Sequence, residues 1–370
     1  MILQQFKLTN FKNYEFQSID CKAKWNCYVG QNGMGKTNLL DAIYYLTMGK
    51  SYISSNDQYV LKEKEAFFRL EGKFLLEDKN ETIVAKVIPR KSKVLERNKV
   101  PYDKLAQHVG LIKIVFIAPD DVEIVREGSE IRRRFVDNTC SQLDTAYLKA
   151  LMEYNKILKQ RNALLKQFAE NHTFNPDLLR IYNEQMEAPA LLLHKVRKVF
   201  VASFRPILQE VVNQLSGGYE QVDFQYKCSI STDSLLEQWI ASEEKDRILQ
   251  RTCLGPHKDD FVFTINEKSL KRFASQGQLK TFVLALKLAQ YNLLKGEKNQ
   301  LPILLLDDIF DKLDESRVQH LLEYIKNNEF GQVFITDTHE NRITGILEKQ
   351  GEHFMKYIIK QGEAELIINE

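Results

Sequence analysis

The sequence predicts an α/β fold assembled from both ends of the chain, with a mainly helical domain inserted in the middle. Three observations carry that expectation. A short apolar strand, Trp25–Val29, runs straight into a glycine-rich loop, and residues 38–48 then show the apolar spacing of a buried helix. Residues 278–294, Ile303–Leu306, Glu315–Asn327 and 332–336 read helix, strand, helix, strand, the alternation of a parallel sheet. Between these ends, residues 129–215 have apolar positions at three- and four-residue spacing among many Lys, Arg, Glu and Gln. Pro176, Pro189 and Pro206 are expected to cut that stretch into several helices, because proline removes a helix hydrogen bond and clashes with the preceding turn. The expected division is 1–125 for the N-terminal lobe, 126–250 for the insert and 251–370 for the C-terminal part.

The remaining elements follow the same reading. Phe6 and Leu8 alternate with Lys7 and Thr9, a half-buried strand. Residues 66–76 and 82–88 read as a hairpin, residues 112–117 as an apolar strand ended by Ala118-Pro119-Asp120-Asp121, and 221–226 and 261–265 as further strands. In 370 residues, 44% are hydrophobic and 28% charged, an ordinary globular composition. The formal net charge is only +2, so any nucleic-acid contact must come from local patches. No basic leader precedes an apolar core at the start, so no signal peptide is expected. Apolar runs such as 301–306 are too short to cross a bilayer. The cysteines (Cys21, Cys27, Cys140, Cys228, Cys253) are scattered without CxxC spacing, as expected of small buried hydrophobes in a reducing, cytoplasmic setting.

The loop Gly30, Gln31, Asn32, Gly33, Met34, Gly35, Lys36, Thr37, followed by Asn38, matches G-x-x-x-x-G-K-[ST]. Backbone N–H groups must wrap phosphate oxygens in conformations that a β-carbon obstructs, hence the glycines. Lys36 supplies a point charge to the β- and γ-phosphates, Thr37 completes a Mg²⁺ shell, and the following helix N-terminus favours an anion. Lys36 is expected to be an exposed charge with no role in the core. ATP and Mg²⁺ are the cofactors this loop implies.

A phosphate loop alone leaves kinases, GTPases and helicases open; the second half of the chain points to an ABC-type P-loop ATPase head. Ile303-Leu-Leu-Leu-Asp-Asp308 is an apolar strand ending in two acids. Asp307 is placed to hold Mg²⁺ through water, and Asp308 to position the attacking water, so Lys36 and Asp308 are the catalytic candidates. Upstream, Ser275-Gln-Gly-Gln278 opens an amphipathic helix and is similar to the ABC signature, with Ser275, Gly277 and Gln278 as nucleotide contacts. In that superfamily the signature faces the γ-phosphate held by the other subunit; Ser275 also reads as a simple helix cap. Ser216-Gly-Gly218 ends a helix before a strand and reads as a glycine C-cap without a nucleotide role. Asp311-Lys-Leu-Asp314 fits the D-loop, and Val333-Phe-Ile-Thr-Asp-Thr-His339 fits the switch strand. The superfamily's histidine falls nearest Asp337, with His339 two residues late, so which of Asp337, Thr338 and His339 senses the γ-phosphate stays open.

A P-loop near the start and a signature and Walker B near the end resemble SMC-type heads. Further blocks resemble the RecF family of bacterial recombination-repair ATPases: Asn10-Phe-Lys-Asn-Tyr14, Arg132-Arg-Arg-Phe-Val-Asp137, Gln160-Arg-Asn-Ala-Leu-Leu165, Leu254-Gly-Pro-His-Lys-Asp-Asp260 and Ala274-Ser-Gln-Gly-Gln278. They run through nearly the whole chain in the family's order; Lys258 stands where that family's pattern has Arg, and a bidentate contact there is weakened. The resemblance implies an ATP-dependent homodimer on gapped or junction DNA, with slow, DNA-stimulated ATP hydrolysis. It further implies work with RecR and RecO to load RecA, in DNA replication, repair and the SOS response. Candidate DNA contacts are Arg132, Arg133, Arg134, Lys159 and Arg161, among basic clusters that include Arg90-Lys91-Lys93, Arg126 and Lys195-Arg197-Lys198. Each cluster alone reads equally as a solvated face, and no helix-turn-helix or zinc finger suggests base reading. Two rival classes fit less well. A nuclease of the overcoming-lysogenization type needs an added acidic metal-binding domain, and a small-molecule phosphotransferase leaves the signature unexplained.

Overall fold

In a computed structural model, described for residues 1–218, 220–230, 234–296, 300–312 and 315–369, the chain divides into two compact units. One comprises Met1–Asp121 and Gln290–Glu370, the other Val122–Ala289.

The first unit holds two six-stranded sheets. One is antiparallel: Tyr14–Asp20, Ile2–Phe11, Phe68–Leu76, Lys79–Ile88, Ser92–Arg97 and Val100–Pro101 in spatial order. Phe6 and Leu8 are fully buried on its inward face, as the alternation requires, and a register shift between Leu3 and Gln5 lets Leu3 be buried as well. The other sheet runs Glu363–Asn369, Phe354–Lys360, Trp25–Val29, Val333–Asp337, Ile303–Leu306 and Ile114–Ile117, all parallel apart from the first pair. The three central strands are buried at every residue, the mark of a sheet covered on both faces. Their register places Val29 beside Asp337 and Leu306 beside Ile335. The carboxyl ends of these strands are therefore adjacent, and ligand sites of open α/β sheets lie at such ends. The hairpin Phe354–Lys360 and Glu363–Asn369, which completes this sheet, carries no motif by which the sequence announced it.

The helix Lys36–Met48 is buried except at Thr37 and Asn38, and Gly49 closes it in the left-handed conformation at φ 66°. A helix apolar nearly all round belongs inside a unit, here among the aromatic rings of Tyr44, Tyr45, Phe68 and Phe116.

The second unit contains the helices Ser129–Leu143, Thr145–Glu170 and Pro176–Ser216, with a three-stranded antiparallel sheet of Lys268–Ser269, Asp260–Ile265 and Val222–Lys227. The expected boundary at residue 250 differs from the one observed. Asp260–Ile265 pairs with Val222–Lys227, and this pairing keeps residues 251–289 with the insert. The prolines did not divide the long helix. Pro176 occupies its first turn, where a missing N–H costs nothing, while Pro189 and Pro206 lie inside one continuous 41-residue helix. Interior prolines cost about 3 kcal/mol or more each. Buried Leu179, Met186, Leu193 and Phe200, at seven-residue spacing, and Phe204 and Val211 form one apolar stripe across both, and burial of each such side chain returns roughly 1.5–3 kcal/mol. Gly217, at φ 71°, is the C-cap expected of Ser216-Gly-Gly218.

Candidate active site

The phosphate loop begins where Val29 ends, and Gly30 N–H donates to Asp337 O at 3.1 Å. Two of its glycines are required by space. A β-carbon at Gly30 falls 2.5 Å from Ile359 O, and one at Gly35, φ 109°, falls 2.5 Å from Asn13 Nδ2. Asn13, in the turn of the first hairpin, donates to Met34 O at 3.1 Å and accepts from Asn38 Nδ2 at 2.7 Å, while Tyr14 OH donates to Gly35 O at 3.1 Å. The Asn10–Tyr14 block thus braces the loop. Gln31, Asn32 and Gly33 face solvent.

Lys36 is not the exposed charge expected. It is only 3% exposed, and its Nζ donates to Gly30 O at 2.9 Å and Gln31 O at 3.2 Å, 3.6 Å from Asp308 Oδ2. Burial of an ammonium requires such partners, and the loop's carbonyls supply them.

Thr37 Oγ1 donates to the Asp307 carboxylate, 2.8 Å from Oδ1 and 3.0 Å from Oδ2. Burial pushes the Asp307 carboxyl up to about 6; hydrogen bonds from Thr336 and Thr37 and the charge of Lys36 oppose that rise, while Asp308 adds to it. Asp308 has a left-handed backbone, φ 41°. Between the two acids sits Thr336, which the sequence reading passed over: its hydroxyl donates to Asp307 Oδ1 at 2.8 Å and accepts from Asp308 N–H at 2.8 Å. The signal was available as a hydroxyl residue inside an otherwise apolar switch strand.

Of the three switch candidates, Asp337 is buried, and its carboxylate accepts from His339 N–H at 3.0 Å and from Arg342 Nε at 2.9 Å, with Nη2 also in contact. His339 is exposed and Thr338 partly so. In the expected D-loop, Leu313 and Asp314 lie outside the described residues.

In the second unit, Ser275 and Gln278 form a reciprocal capping box. Ser275 N–H donates to Gln278 Oε1 at 2.9 Å, and Gln278 N–H donates to Ser275 Oγ at 3.2 Å, at the start of helix Gln276–Lys295. Ser275 is exposed and Gly277 partly buried.

The basic candidates separate sharply. Arg161 is a correction: it is fully buried, donating to Asp246 Oδ2 at 2.7 Å, Asn183 Oδ1 at 2.8 Å and Thr252 Oγ1 at 2.8 Å, out of reach of any phosphate. Arg197 is likewise buried, bound to Asp137 Oδ1 at 2.8 Å, Asp259 Oδ2 at 3.0 Å and Pro256 O at 2.7 Å. Arg132 makes a bidentate pair with Asp260 at 2.7 and 3.1 Å, and Arg133 donates to Ser129 Oγ and Asp259 O. Arg134 and Lys159 are exposed, the former 3.2 Å from Glu130 one helical turn away. Three of the blocks quoted above, around Arg132, Arg161 and His257, therefore supply one unit's internal polar network.

A glycine cradle at a helix N-terminus, a buried lysine, and two acids at the carboxyl ends of adjacent parallel strands define a P-loop ATPase head of the ABC/SMC type. The model for the RecF/RecN/SMC N terminal domain matches residues 2–357, and the chain belongs to the RecF family. The chain is 44% identical to the DNA replication and repair protein RecF of Flavobacterium johnsoniae, over 94% of this chain and 97% of that one. It is 39% identical to RecF of Phocaeicola vulgatus, over 98% of each. Among solved structures, that of the recombination mediator protein RecF-ATP in the RecFOR pathway superposes with a TM-score of 0.89 at 28% identity, covering 99% of this chain and 97% of the other. An Smc head domain from Pyrococcus furiosus, 15% identical with a TM-score of 0.56, shares the fold. No helix among the described residues is long and apolar enough to cross a membrane.

Proposed function

We propose that this chain is a slow, DNA-stimulated ATPase that dimerises with ATP on gapped or junction DNA, in the cytoplasm. It acts there with RecR and RecO to load RecA, in DNA replication, repair and the SOS response. The observation that carries the reading is the convergence of Lys36, Thr37, Asp307 and Asp308 on one open glycine cradle. The all-oxygen pair of Thr37 and Asp307 suits Mg²⁺, which when bound neutralises charge on phosphate oxygens. Lys36, at present spread over two loop carbonyls, turns to phosphate oxygens, and Asp308 orients the attacking water. Ser275, Gly277 and Gln278 at their helix start offer an anion site to the γ-phosphate held by a partner chain, so ATP joins two heads. The exposed Arg134 and Lys159 remain as phosphate contacts without sequence readout.

The test is equilibrium ATP binding and sedimentation with a non-hydrolysable analogue, with and without gapped DNA. Lys36→Ala loses ATP affinity with its circular dichroism intact. Ser275→Arg binds ATP as a monomer but does not dimerise. Parent-like ATP affinity in the first variant refutes the nucleotide assignment; parent-like dimerisation in the second reduces Ser275 to a helix cap.

A further inference from the structure

The switch strand Val333–Asp337 lies between the phosphate-loop strand Trp25–Val29 and the Walker B strand Ile303–Leu306, hydrogen-bonded to both. Apart from Thr336 and the terminal Asp337 it is apolar, and Thr336 is fully buried. A buried hydroxyl needs partners, and the two that Thr336 has are unusual in being consecutive residues of one catalytic segment. Its proton goes to Asp307 Oδ1 at 2.8 Å, and its oxygen accepts the backbone N–H of Asp308 at 2.8 Å.

These bonds have different consequences. The first fixes the rotation of the Asp307 carboxylate, whose Oδ1 also receives the Thr37 hydroxyl at 2.8 Å. With Thr37 engaged by a bound metal ion, Thr336 would still hold that carboxylate in place. The second bond holds the peptide that enters Asp308, whose left-handed backbone, φ 41°, is costly for any residue bearing a β-carbon. That backbone sets the direction of the Asp308 side chain, now 3.6 Å from Lys36 Nζ. One hydroxyl therefore ties the metal carboxylate to the water-orienting carboxylate.

We propose that Thr336 is the positioning residue of this site, setting the mutual geometry of Asp307 and Asp308 for ATP hydrolysis. It acts through the two acids, to which it is hydrogen-bonded. The inference rests on the ATPase reading above. Misplacement of a reacting group by about 1 Å costs on the order of a hundredfold in rate. Valine matches threonine in shape but can neither donate nor accept, so it separates the hydroxyl from the packing.

The experiment compares steady-state ATP hydrolysis, ATP affinity and thermal midpoint for the parent, Thr336→Val and Thr336→Ser. The expected result for Thr336→Val is a kcat lower by roughly thirty- to a hundredfold with ATP affinity within about threefold of the parent. The Mg²⁺ concentration for half-maximal rate rises, and Thr336→Ser recovers most of the lost kcat. A valine variant with parental kcat overturns the proposal, as does a serine variant as slow as valine. If the valine variant does not fold, Thr336→Ala against Thr336→Ser makes the same comparison: alanine far slower than serine supports the role, and equal rates overturn it. The two readings fail differently. A parent that neither binds nor hydrolyses ATP defeats the ATPase assignment, whereas an active parent with an unaffected valine variant defeats only Thr336.

Discussion

Both units bury charged side chains, and they do so in opposite ways. In the inserted unit Arg161 and Arg197 are enclosed by fixed side-chain and backbone acceptors: Asp246, Asn183 and Thr252 around one, Asp137, Asp259 and Pro256 O around the other. Tyr147, Tyr226 and Ser229 close the same network around Asp137 and Asp259. Around the phosphate loop of the first unit the buried charges are held provisionally. Lys36 rests on two carbonyls of a solvent-facing loop, Asp307 is desolvated enough to be raised to about 6, and Asp308 sits in a left-handed backbone. A network of fixed internal partners favours one packing; a provisional one leaves groups free to exchange partners when a ligand arrives. The same residue types therefore mean structure in one region and chemistry in the other, and only their surroundings say which.

The largest effect that could break this contrast is at Arg161. Arg161→Met leaves Asp246 buried without its counter-charge and is expected to cost about 3–5 kcal/mol in urea unfolding. Removing the acid as well, with Asp246→Leu, recovers much of that loss. A near-neutral Arg161→Met with weakened DNA binding instead makes the residue part of an interface.

Acid tests the same network at His257. Its ring accepts from Tyr154 OH at Nδ1, 2.7 Å, and its Nε2 lies 3.0 Å from Thr252 O, and burial lowers its pKa to about 4. In the unfolded chain the ring takes a proton near 6.5, so between about 6.5 and 4 the unfolded state binds more protons. Stability is present above that window and is lost as pH falls through it, on the order of 3 kcal/mol in all. His257→Gln removes this part of the pH dependence, read as the difference between the two proteins' unfolding free energies across the window. Equal pH profiles for the two place the acid sensitivity elsewhere.

On the provisional side, Asp308→Asn should leave ATP binding near the parent's and lower turnover by about a hundredfold, prolonging the ATP-bound dimer. Single-turnover and binding measurements separate these. Unchanged turnover moves the water-orienting acid away from Asp308.

The smallest expected effects are at the exposed cations. Arg134→Glu and Lys159→Glu shift stability by less than about 0.5 kcal/mol. Each phosphate contact removed flattens the log–log salt dependence of DNA affinity by about 0.9. Arg132→Glu, which loses its bidentate partner Asp260, lowers the thermal midpoint as well. A salt slope that responds to Arg132 but to neither exposed residue reverses the assignment.

The phosphate loop, the Walker B acids and the capping serine of the signature segment were legible in the sequence because local geometry dictates them. Glycine positions, a lysine before a helix and acids after an apolar strand are fixed over a few residues. The order of strands around Trp25–Val29 was partly legible, from alternation, but the C-terminal hairpin beside it was not, since its strands carry no motif. Pro189 and Pro206 misled for a related reason. A proline's local cost is readable, whereas the apolar stripe that outweighs it exists only against the partner helix and sheet. Arg161 and Lys36 misled in the same direction, one read as a DNA contact and the other as an exposed ligand charge, because burial is a property of the packed chain.

By itself, then, the sequence determined that Gly30–Thr37 forms a glycine loop opening a helix and that an apolar strand ends in Asp307 and Asp308, since short-range stereochemistry allows few other arrangements of those residues. Only the tertiary structure decided that Thr336 joins the two acids and that Arg161 and Arg197 lock the inserted unit. Those relations connect residues tens of positions apart, and the distance and dielectric that give them meaning arise only when the strands and helices pack.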